Sequence, residues 1–175
     1  MKSLTNIFLV GPMGAGKSTV GHLLANILKM IHIDSDNEIE VHTGVTIPLI
    51  FEYEGEVGFR KREQIVIAEL TQCHNIVLST GGGVVLDADN RNCLKNYGYV
   101  IYLQASVTNL LERTAHSDNR PLLQTKNPRK RLEAILLERH PLYTAVADVT
   151  IETGYRTIRQ VVRAILNHLE QEGKI

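Results

Sequence analysis

The stretch GPMGAGKST, residues 11–19, constrains the fold of this chain more than any other segment. It follows an apolar run, IFLV, and precedes VGHLLANIL, so we predict that an apolar strand leads into a helix here. The stretch matches G-x-x-x-x-G-K-[ST], the pattern of a phosphate-binding loop, at Gly11, Gly16, Lys17 and Ser18. Backbone N–H groups of such a loop bind anions together with the positive end of the following helix. We therefore predict a nucleoside triphosphate site, with Lys17 directed at the β- and γ-phosphates and Ser18 at Mg²⁺.

Strand-like runs alternate with helical patterns along the rest of the chain. Strands are predicted at residues 4–10, 30–33, 76–79, 99–103 and 148–153. Helices are predicted at residues 18–29, 35–73 (with breaks near Gly44, Pro48 and Gly55), 91–96, 107–114, 129–147 and 158–169. This alternation is typical of βαβ units, in which right-handed crossovers cover both faces of a parallel sheet. We predict one α/β domain over residues 1–175, with two excursions from its core at about 35–62 and 115–127.

The composition argues against several classes of partner. Lysine plus arginine and aspartate plus glutamate number 19 each, so there is no net charge to attract nucleic acid or an anionic membrane. No apolar run approaches the roughly 20 residues that cross a bilayer. Cys73 and Cys93 form no CxxC pair and the histidines are scattered, which favours reduced thiols and argues against a zinc site. We expect a cytoplasmic protein with no nucleic-acid and no membrane partner.

Several polar residues follow directly after predicted strands. The glycine loop, Asp34 and residues 81–83 are therefore expected to lie together, because ligands of parallel sheets bind at the carboxyl ends of the strands. One aspartate of IHIDSD could serve Mg²⁺ and the other could accept a hydrogen bond from a substrate hydroxyl. Asp34, Ser35 or Asp36 could equally cap the helix that follows. The three consecutive glycines suit either a tight turn or a close approach of the backbone to a ligand.

Three arginines are candidates for binding an anion. Arg60 lies in EVGFRKRE, Arg120 in SDNRPLL and Arg139 in ERHPLY. The usual role of a single arginine is an exposed salt bridge, which contributes little stability. An arginine that faces a cleft can instead bind a carboxylate or stabilise a phosphoryl group during transfer. These residues alone leave both roles open.

In this order and spacing, GPMGAGKST, DSD, GFRKRE, TGGG, RPLL and ERHPLY resemble the shikimate kinase family. The resemblance extends from Asn6 to about Thr153, and the combination is far more specific than the phosphate loop alone. It implies a P-loop three-layer αβα sandwich of the nucleoside-monophosphate-kinase type, with a five-stranded parallel sheet in the order 2-3-1-4-5. It also implies that the two excursions are a shikimate-binding region, at about 35–62, and a lid, at about 115–127.

On the donor side, the resemblance implies roles for residues at matching positions. The ATP phosphates would be surrounded by Gly14, Ala15, Gly16, Lys17, Ser18 and Thr19. Ser18 and Asp34 would serve Mg²⁺, the aspartate directly or through water. Arg113 and Arg156 would contact the adenine side, and Arg120 would move with the lid onto the phosphates.

On the acceptor side, Asp36 would contact the ring hydroxyls of shikimate and act as a base or as an orienting group. Arg60 and Arg139 would hold the shikimate carboxylate, and Gly82 and Gly83 would line the pocket through their backbone. The implied catalytic residues are Lys17, Asp36 and Arg120. The implied reaction is transfer of the γ-phosphoryl group of ATP to the 3-hydroxyl of shikimate by an Mg²⁺-dependent enzyme, which we expect to be a monomer.

Two alternatives to this activity remain at the level of the sequence. Another small-metabolite kinase of similar fold, such as a gluconate kinase, also binds a carboxylated polyol. A nucleotide-binding switch without transfer activity is the alternative from a different class. The switch leaves Asp36, the three glycines and RPLL without a role, and the chain lacks the N-K-x-D motif that binds guanine in GTPases.

Overall fold

A computed structural model describes residues 4–115 and 125–175 of the chain. Its sheet consists of β1 (Asn6–Val10), β2 (Ile31–Asp34), β3 (Ile76–Ser79), β4 (Tyr99–Gln104) and β5 (Val149–Glu152). The strand order is β2-β3-β1-β4-β5, and every neighbouring pair is parallel. The predicted sheet and its order are confirmed.

Helices connect the strands at the places where the sequence pattern predicts them. They are α1 (Lys17–Leu28), α2 (Ser35–Thr43), α3 (Ile47–Leu70), α4 (Ala88–Tyr97), α5 (Val107–Thr114), α6 (Pro128–Val146) and α7 (Ile158–Gln171). A single 3₁₀ turn, Val84–Leu86, precedes α4. The predicted breaks are present: α2 ends at the left-handed Gly44, Pro48 lies in the first turn of α3, and Gly55 interrupts α3 with a φ of 68°.

Helix α4 is longer than the segment 91–96 that the sequence pattern predicts. It begins at Ala88, because the side chain of Asp87 accepts a hydrogen bond from the backbone N–H of Asn90 and so caps the first turn. The first turn consists mostly of polar residues, so it shows no apolar periodicity in the sequence.

The core has two parts, one on each face of the sheet, because side chains alternate along a strand. Ile7 and Leu9 of β1 pack into a cluster with apolar residues of α1 and α7. Phe8 and Val10 pack on the opposite face, into a cluster with apolar residues of α3, α4 and α6. The sheet is thus the middle layer of a three-layer αβα sandwich, as predicted.

The carboxyl ends of β1, β2 and β3 lie at one edge of the sheet, where the polar segments meet. Strand β1 leads into the glycine loop, β2 ends at Asp34 and β3 ends at Ser79, just before the three glycines. Most of the predicted lid and Arg120 lie outside the described residues. Within the described ranges, no helix is both long and apolar enough to span a membrane.

Candidate active site

The glycine loop has a conformation that its sequence makes possible. Gly14 and Gly16 have φ values of 81° and 94°, a left-handed region that residues with side chains rarely adopt. A Cβ on Gly14 would also lie 2.8 Å from a methyl carbon of Thr114, and one on Gly11 would lie 2.5 Å from the carbonyl oxygen of Leu103. The loop is therefore packed against β4 and α5. Space and conformation both favour glycine at positions 11 and 14, and conformation alone favours it at position 16.

Lys17 begins α1, and its side chain extends across the loop. Its Nζ donates hydrogen bonds to the carbonyl oxygens of Gly11, at 2.7 Å, and Pro12, at 2.8 Å, and only 8% of the residue is exposed. This arrangement fixes a positive charge within the loop, where the phosphates of a nucleotide bind in this motif. Ala15 is buried, whereas Thr19 is exposed on the first turn of α1.

Ser18 and Asp34 are brought together at the ends of the loop and of β2. The hydroxyl of Ser18 donates a hydrogen bond to Oδ2 of Asp34. The other carboxylate oxygen, Oδ1, accepts hydrogen bonds from the N–H groups of Asp36, at 3.0 Å, and Asn37, at 3.3 Å, and so caps α2. The predicted helix cap is therefore present, since one oxygen of Asp34 caps α2 and the other faces Ser18. The role of Asp34 towards Mg²⁺ stays a prediction.

These two side chains fit Mg²⁺ by their chemistry. A hydroxyl and a carboxylate are the hard oxygen ligands that Mg²⁺ prefers, and protein sites of this kind supply one or two such ligands while phosphates and water supply the rest. Within residues 4–115 and 125–175, no cluster of three or more His, Cys, Asp or Glu side chains could hold a metal. The donor set around Ser18 is thus typical of a cation that arrives with a nucleotide.

A cavity of about 400 Å³ lies beside the glycine loop, between α2, α3, the three glycines and α6. Met13 of the loop lines one side of it. Every residue that the family resemblance assigns to the acceptor also lines it, namely Asp36, Arg60, Gly82, Gly83 and Arg139. The structure therefore places the predicted acceptor residues around one cavity that adjoins the predicted donor site.

Arg139 contributes a buried positive charge to this cavity. The residue is 3% exposed, and its Nη1 lies 3.7 Å from the position that a Cβ on Gly82 would occupy. Among the described residues, its Nε has no hydrogen-bond partner, and no carboxylate forms a salt bridge with it. A buried guanidinium in this state is suited to binding an anionic ligand, because the ligand would satisfy its remaining donor and its charge.

Arg60 differs from Arg139 because it is already paired with two glutamates. Its Nη1 donates to Glu63 at 2.8 Å and its Nη2 to Glu56 at 3.3 Å. Glu63 is 1% exposed, and burial raises the pKa of its carboxyl from 4.5 to about 7 although the charge of Arg60 opposes the rise. The nearby charge of Asp36 raises the pKa of Glu63 further. The charge of Arg60 is therefore already opposed by carboxylates in the protein.

Glu63 is a site residue that the sequence prediction missed. The signal was its position three residues after Arg60, which places the two side chains on one face of a helix. That spacing alone describes an ordinary surface pair. Only the packing of α3 against the three glycines buries the glutamate and places it beside Asp36.

The three glycines allow charged side chains of the cavity to approach the backbone closely. A Cβ on Gly81 would lie 2.8 Å from Oδ1 of Asp36, and one on Gly83 would lie 2.2 Å from Nη2 of Arg60. None of the three residues has a positive φ, so space and not conformational freedom is what favours glycine here. The charged side chains of the cavity are packed directly against this backbone.

Arg113 joins the glycine loop to the segment after β5. Its Nη1 donates to the carbonyl oxygen of Gly14 at 3.3 Å, and its Nη2 donates to that of Gly154 at 2.6 Å. Arg156 is exposed two residues further along, in a turn closed by its backbone N–H and the carbonyl of Thr153, at 2.9 Å. Of the two residues predicted for adenine, Arg113 therefore contacts the glycine loop directly, and Arg156 lies in the segment after β5 that Arg113 also contacts. Arg120, predicted for the phosphates, is not among the described residues.

Comparison with known proteins identifies the family. A sequence model of the family described as shikimate kinase matches residues 13–170. The chain belongs to the shikimate kinase family. The predicted family is therefore confirmed, and so, at the level of the family, are an ATP-dependent kinase acting on shikimate and the use of Mg²⁺.

Individual shikimate kinases are similar over nearly the whole chain. The enzyme of Methylococcus capsulatus is 58% identical over 173 residues, which are 99% of this chain and 97% of the relative. The enzyme of Nitrosococcus oceani is 56% identical over 166 residues, which are 95% of this chain and 87% of the relative. The solved structure of shikimate kinase from Acinetobacter baumannii, in complex with shikimate, is 51% identical, with a TM-score of 0.95 over 98% of this chain and 96% of that one.

A gluconokinase from Sinorhizobium meliloti has a related structure. It is 18% identical, with a TM-score of 0.58 over 95% of this chain and 91% of that one. This likeness concerns the fold alone, because so low an identity does not extend to the residues of the site. The shikimate kinase family, by contrast, is supported by both sequence and fold.

Proposed function

We propose that this chain transfers the γ-phosphoryl group of ATP, bound in the glycine loop, to the 3-hydroxyl of shikimate, bound in the adjoining cavity. The observation that carries the proposal is that a single cavity is lined by Met13 of the loop, by Asp36 and by the two arginines Arg60 and Arg139. The likeness to the Acinetobacter baumannii enzyme, which was solved with shikimate, supports the choice of acceptor.

The charges of the cavity complement a small hydroxylated carboxylate. Its volume of about 400 Å³ lies within the range of small-molecule sites, roughly 300–1,000 Å³. We assign the ligand carboxylate to Arg139, whose Nε has no partner among the described residues, with Arg60 beside it. We assign the ring hydroxyls to Asp36, because a carboxylate accepts hydrogen bonds from hydroxyl groups.

On the donor side, the residues of the chain would position the triphosphate and neutralise its charge. Phosphoryl transfer depends on these two effects more than on covalent chemistry by the protein. The N–H groups at residues 14–19 would bind the phosphate oxygens, and Lys17 would move from the loop carbonyls to the β- and γ-phosphates. When bound by Ser18 and Asp34, Mg²⁺ would neutralise charge on the same phosphates.

On the acceptor side, Asp36 would direct the attacking hydroxyl. The hydroxyl oxygen forms a bond to the γ-phosphorus as the bond from that phosphorus to the β–γ bridging oxygen breaks, and ADP leaves. Asp36 would orient the hydroxyl and accept its proton as that bond forms. Arg120 would complete the charge around the phosphates when the lid closes, and closure would exclude water that could otherwise hydrolyse ATP.

We further propose that the chain acts as a single-domain monomer in the cytoplasm. The predicted acceptor residues all line one cavity of a single chain, and the glycine loop of the same chain adjoins that cavity through Met13. Cys73 and Cys93 are free thiols, which suits a reducing compartment. Light scattering during gel filtration at assay concentration measures the mass, and a dimer would contradict the monomer.

Steady-state assays with the purified chain, ATP and Mg²⁺ test the proposed reaction. Shikimate, quinate and gluconate are offered separately, and ADP release is measured together with the phosphorylated product. We expect turnover with shikimate, and nuclear magnetic resonance of the product is expected to place the phosphate at the 3-hydroxyl. Turnover with gluconate but not shikimate would overturn the assignment, and ATP hydrolysis that no acceptor accelerates would favour the nucleotide switch.

A further inference from the structure

The segment Gly81–Gly83 carries three carbonyl groups, and they are satisfied in two different ways. The carbonyl of Gly81 accepts a hydrogen bond from the N–H of Val84, and that of Gly83 from the N–H of Leu86, both at 3.1 Å. These two bonds are local and belong to the 3₁₀ turn. The carbonyl of Gly82 instead accepts a hydrogen bond from the phenol of Tyr143, which lies 61 residues away on α6. This bond ties the glycine segment to another element.

Tyr143 is held firmly at this position. The residue is fully buried, and its ring packs against that of Tyr102 on β4, with 5.0 Å between centroids and 31° between planes. Burial raises the pKa of the Tyr143 phenol although the charge of Arg139 opposes the rise, so the hydroxyl keeps its proton and remains a donor. Tyr143 is not among the residues that line the cavity.

The position of Tyr143 links two parts of the proposed carboxylate site. It lies one helical turn after Arg139, and their side chains interact. Its hydroxyl fixes Gly82, whose backbone lies close to the guanidinium of Arg139. The carbonyl of Gly82 and the N–H of Gly83 belong to one planar trans unit and point in opposite directions. Holding the carbonyl towards Tyr143 therefore turns the N–H of Gly83 away from Tyr143. Gly83 itself lines the cavity.

We propose that Tyr143 is a positioning residue for the acceptor. Its hydroxyl holds the Gly82–Gly83 peptide in a fixed position relative to Arg139, so that both contact the carboxylate of the bound acceptor. The proposal rests on the proposed function, since it assumes that shikimate occupies the cavity. It assigns Tyr143 to the binding of the acceptor and gives it no part in binding ATP.

The experiment compares two hydroxyl deletions within the same stacked pair of rings. Tyr143→Phe removes the bond to Gly82, and Tyr102→Phe removes the bond to Nδ1 of His140, at 2.9 Å. Both residues are buried, and His140 is exposed outside the cavity, so Tyr102→Phe is a matched control for the loss of a buried phenol. The KM for shikimate and the KM for ATP are measured for both variants and for the wild type. Because KM does not depend on the amount of folded enzyme, a partly unfolded preparation does not imitate the effect.

For Tyr143→Phe we expect the KM for shikimate to rise on the order of tenfold, which corresponds to about 1.4 kcal/mol, while the KM for ATP stays within about twofold. Tyr102→Phe is expected to keep both constants near those of the wild type. As a second measurement, shikimate should raise the melting temperature of Tyr143→Phe less than that of the wild type, and Mg²⁺–ATP should raise both equally.

Two results would overturn the proposal while leaving the proposed function intact. One is a Tyr143→Phe enzyme with the wild-type KM for shikimate, and the other is an equal rise in both variants, which would indicate a general packing effect. A wild-type chain that does not phosphorylate shikimate would instead overturn the proposed function and, with it, the role of Tyr143.

Discussion

Glu63 makes the stability of this protein depend on pH in a direction opposite to that of most surface carboxylates. Its pKa is raised from 4.5 to about 7, chiefly because the folded chain buries it. Between these values the folded state binds a proton at this site and the unfolded state does not, so stability falls as the pH rises. Below about pH 4.5 both states are protonated and above about pH 7 both are ionised, so the effect is confined to the interval between them.

The size of the effect follows from the two pKa values. A tenfold change in proton affinity is worth about 1.4 kcal/mol, so ionising Glu63 in the folded state costs on the order of 3 kcal/mol. Glu63→Gln cannot titrate and keeps a similar shape. We therefore expect the wild type to lose about 3 kcal/mol of unfolding free energy relative to Glu63→Gln as the pH rises from about 4.5 to about 8.

Urea denaturation followed by circular dichroism at several pH values measures this difference. Comparing two proteins at each pH removes the contribution of groups that titrate alike in both. Glu56→Gln is the matched control, because Glu56 also pairs with Arg60 but is half-exposed. Parallel stability curves for the wild type and Glu63→Gln would refute the reasoning, and so would a wild type that gains stability relative to Glu63→Gln as the pH rises.

The remaining predictions concern single residues of the site. Lys17→Ala is expected to lower kcat on the order of a thousandfold with a small change in melting temperature, because the side chain contacts the loop and not the core; near-normal turnover would remove Lys17 from the catalytic set. Arg139→Ala is expected to raise the KM for shikimate by tens- to hundreds-fold and to leave the KM for ATP unchanged, since it removes a charge-assisted bond to the acceptor; an unchanged KM for shikimate would place the carboxylate elsewhere. Gly83→Ala is expected to raise the same constant by displacing the guanidinium of Arg60, which lies 2.2 Å from the position of the new Cβ. Steady-state kinetics with each substrate varied in turn checks all three, and an unaltered Gly83→Ala enzyme would show that Arg60 moves aside without consequence.

The donor half of the site was the part most accessible from the sequence. A phosphate-binding loop is local: its glycines, Lys17 and Ser18 lie within nine residues, and their spacing follows from one turn between a strand and a helix. The order of the strands was implied by the family resemblance and not by the local pattern. Helix boundaries were harder to predict where a helix begins with polar residues, as after Asp87, because a helix cap produces no apolar periodicity in the sequence.

The acceptor half depends on contacts between residues far apart in the chain. Arg60 and Arg139 look alike as isolated residues, yet the structure pairs Arg60 with two glutamates and gives Arg139 no salt bridge among the described residues. The burial of Glu63 and the bond from Tyr143 to Gly82 arise only when α3 and α6 pack against the glycine segment. Local spacing carries no information on such packing, and so these features could not be predicted without the fold.

The end of β3 explains how the two halves keep their relative position. The hydroxyl of Ser79 donates to the carbonyl of Lys17 at 2.8 Å, and the hydroxyl of Thr80 donates to the carbonyl of Leu9 at 2.8 Å. The N–H of the next residue, Gly81, donates to the hydroxyl of Ser35 at 3.1 Å. Three consecutive residues therefore bond to the helix after the glycine loop, to the strand before it, and to the helix that carries Asp36. Phosphoryl transfer requires the reacting groups to be placed within about 0.5 Å of their productive geometry. We therefore infer that these three bonds help to hold the glycine loop and the helix of Asp36 in fixed relative positions.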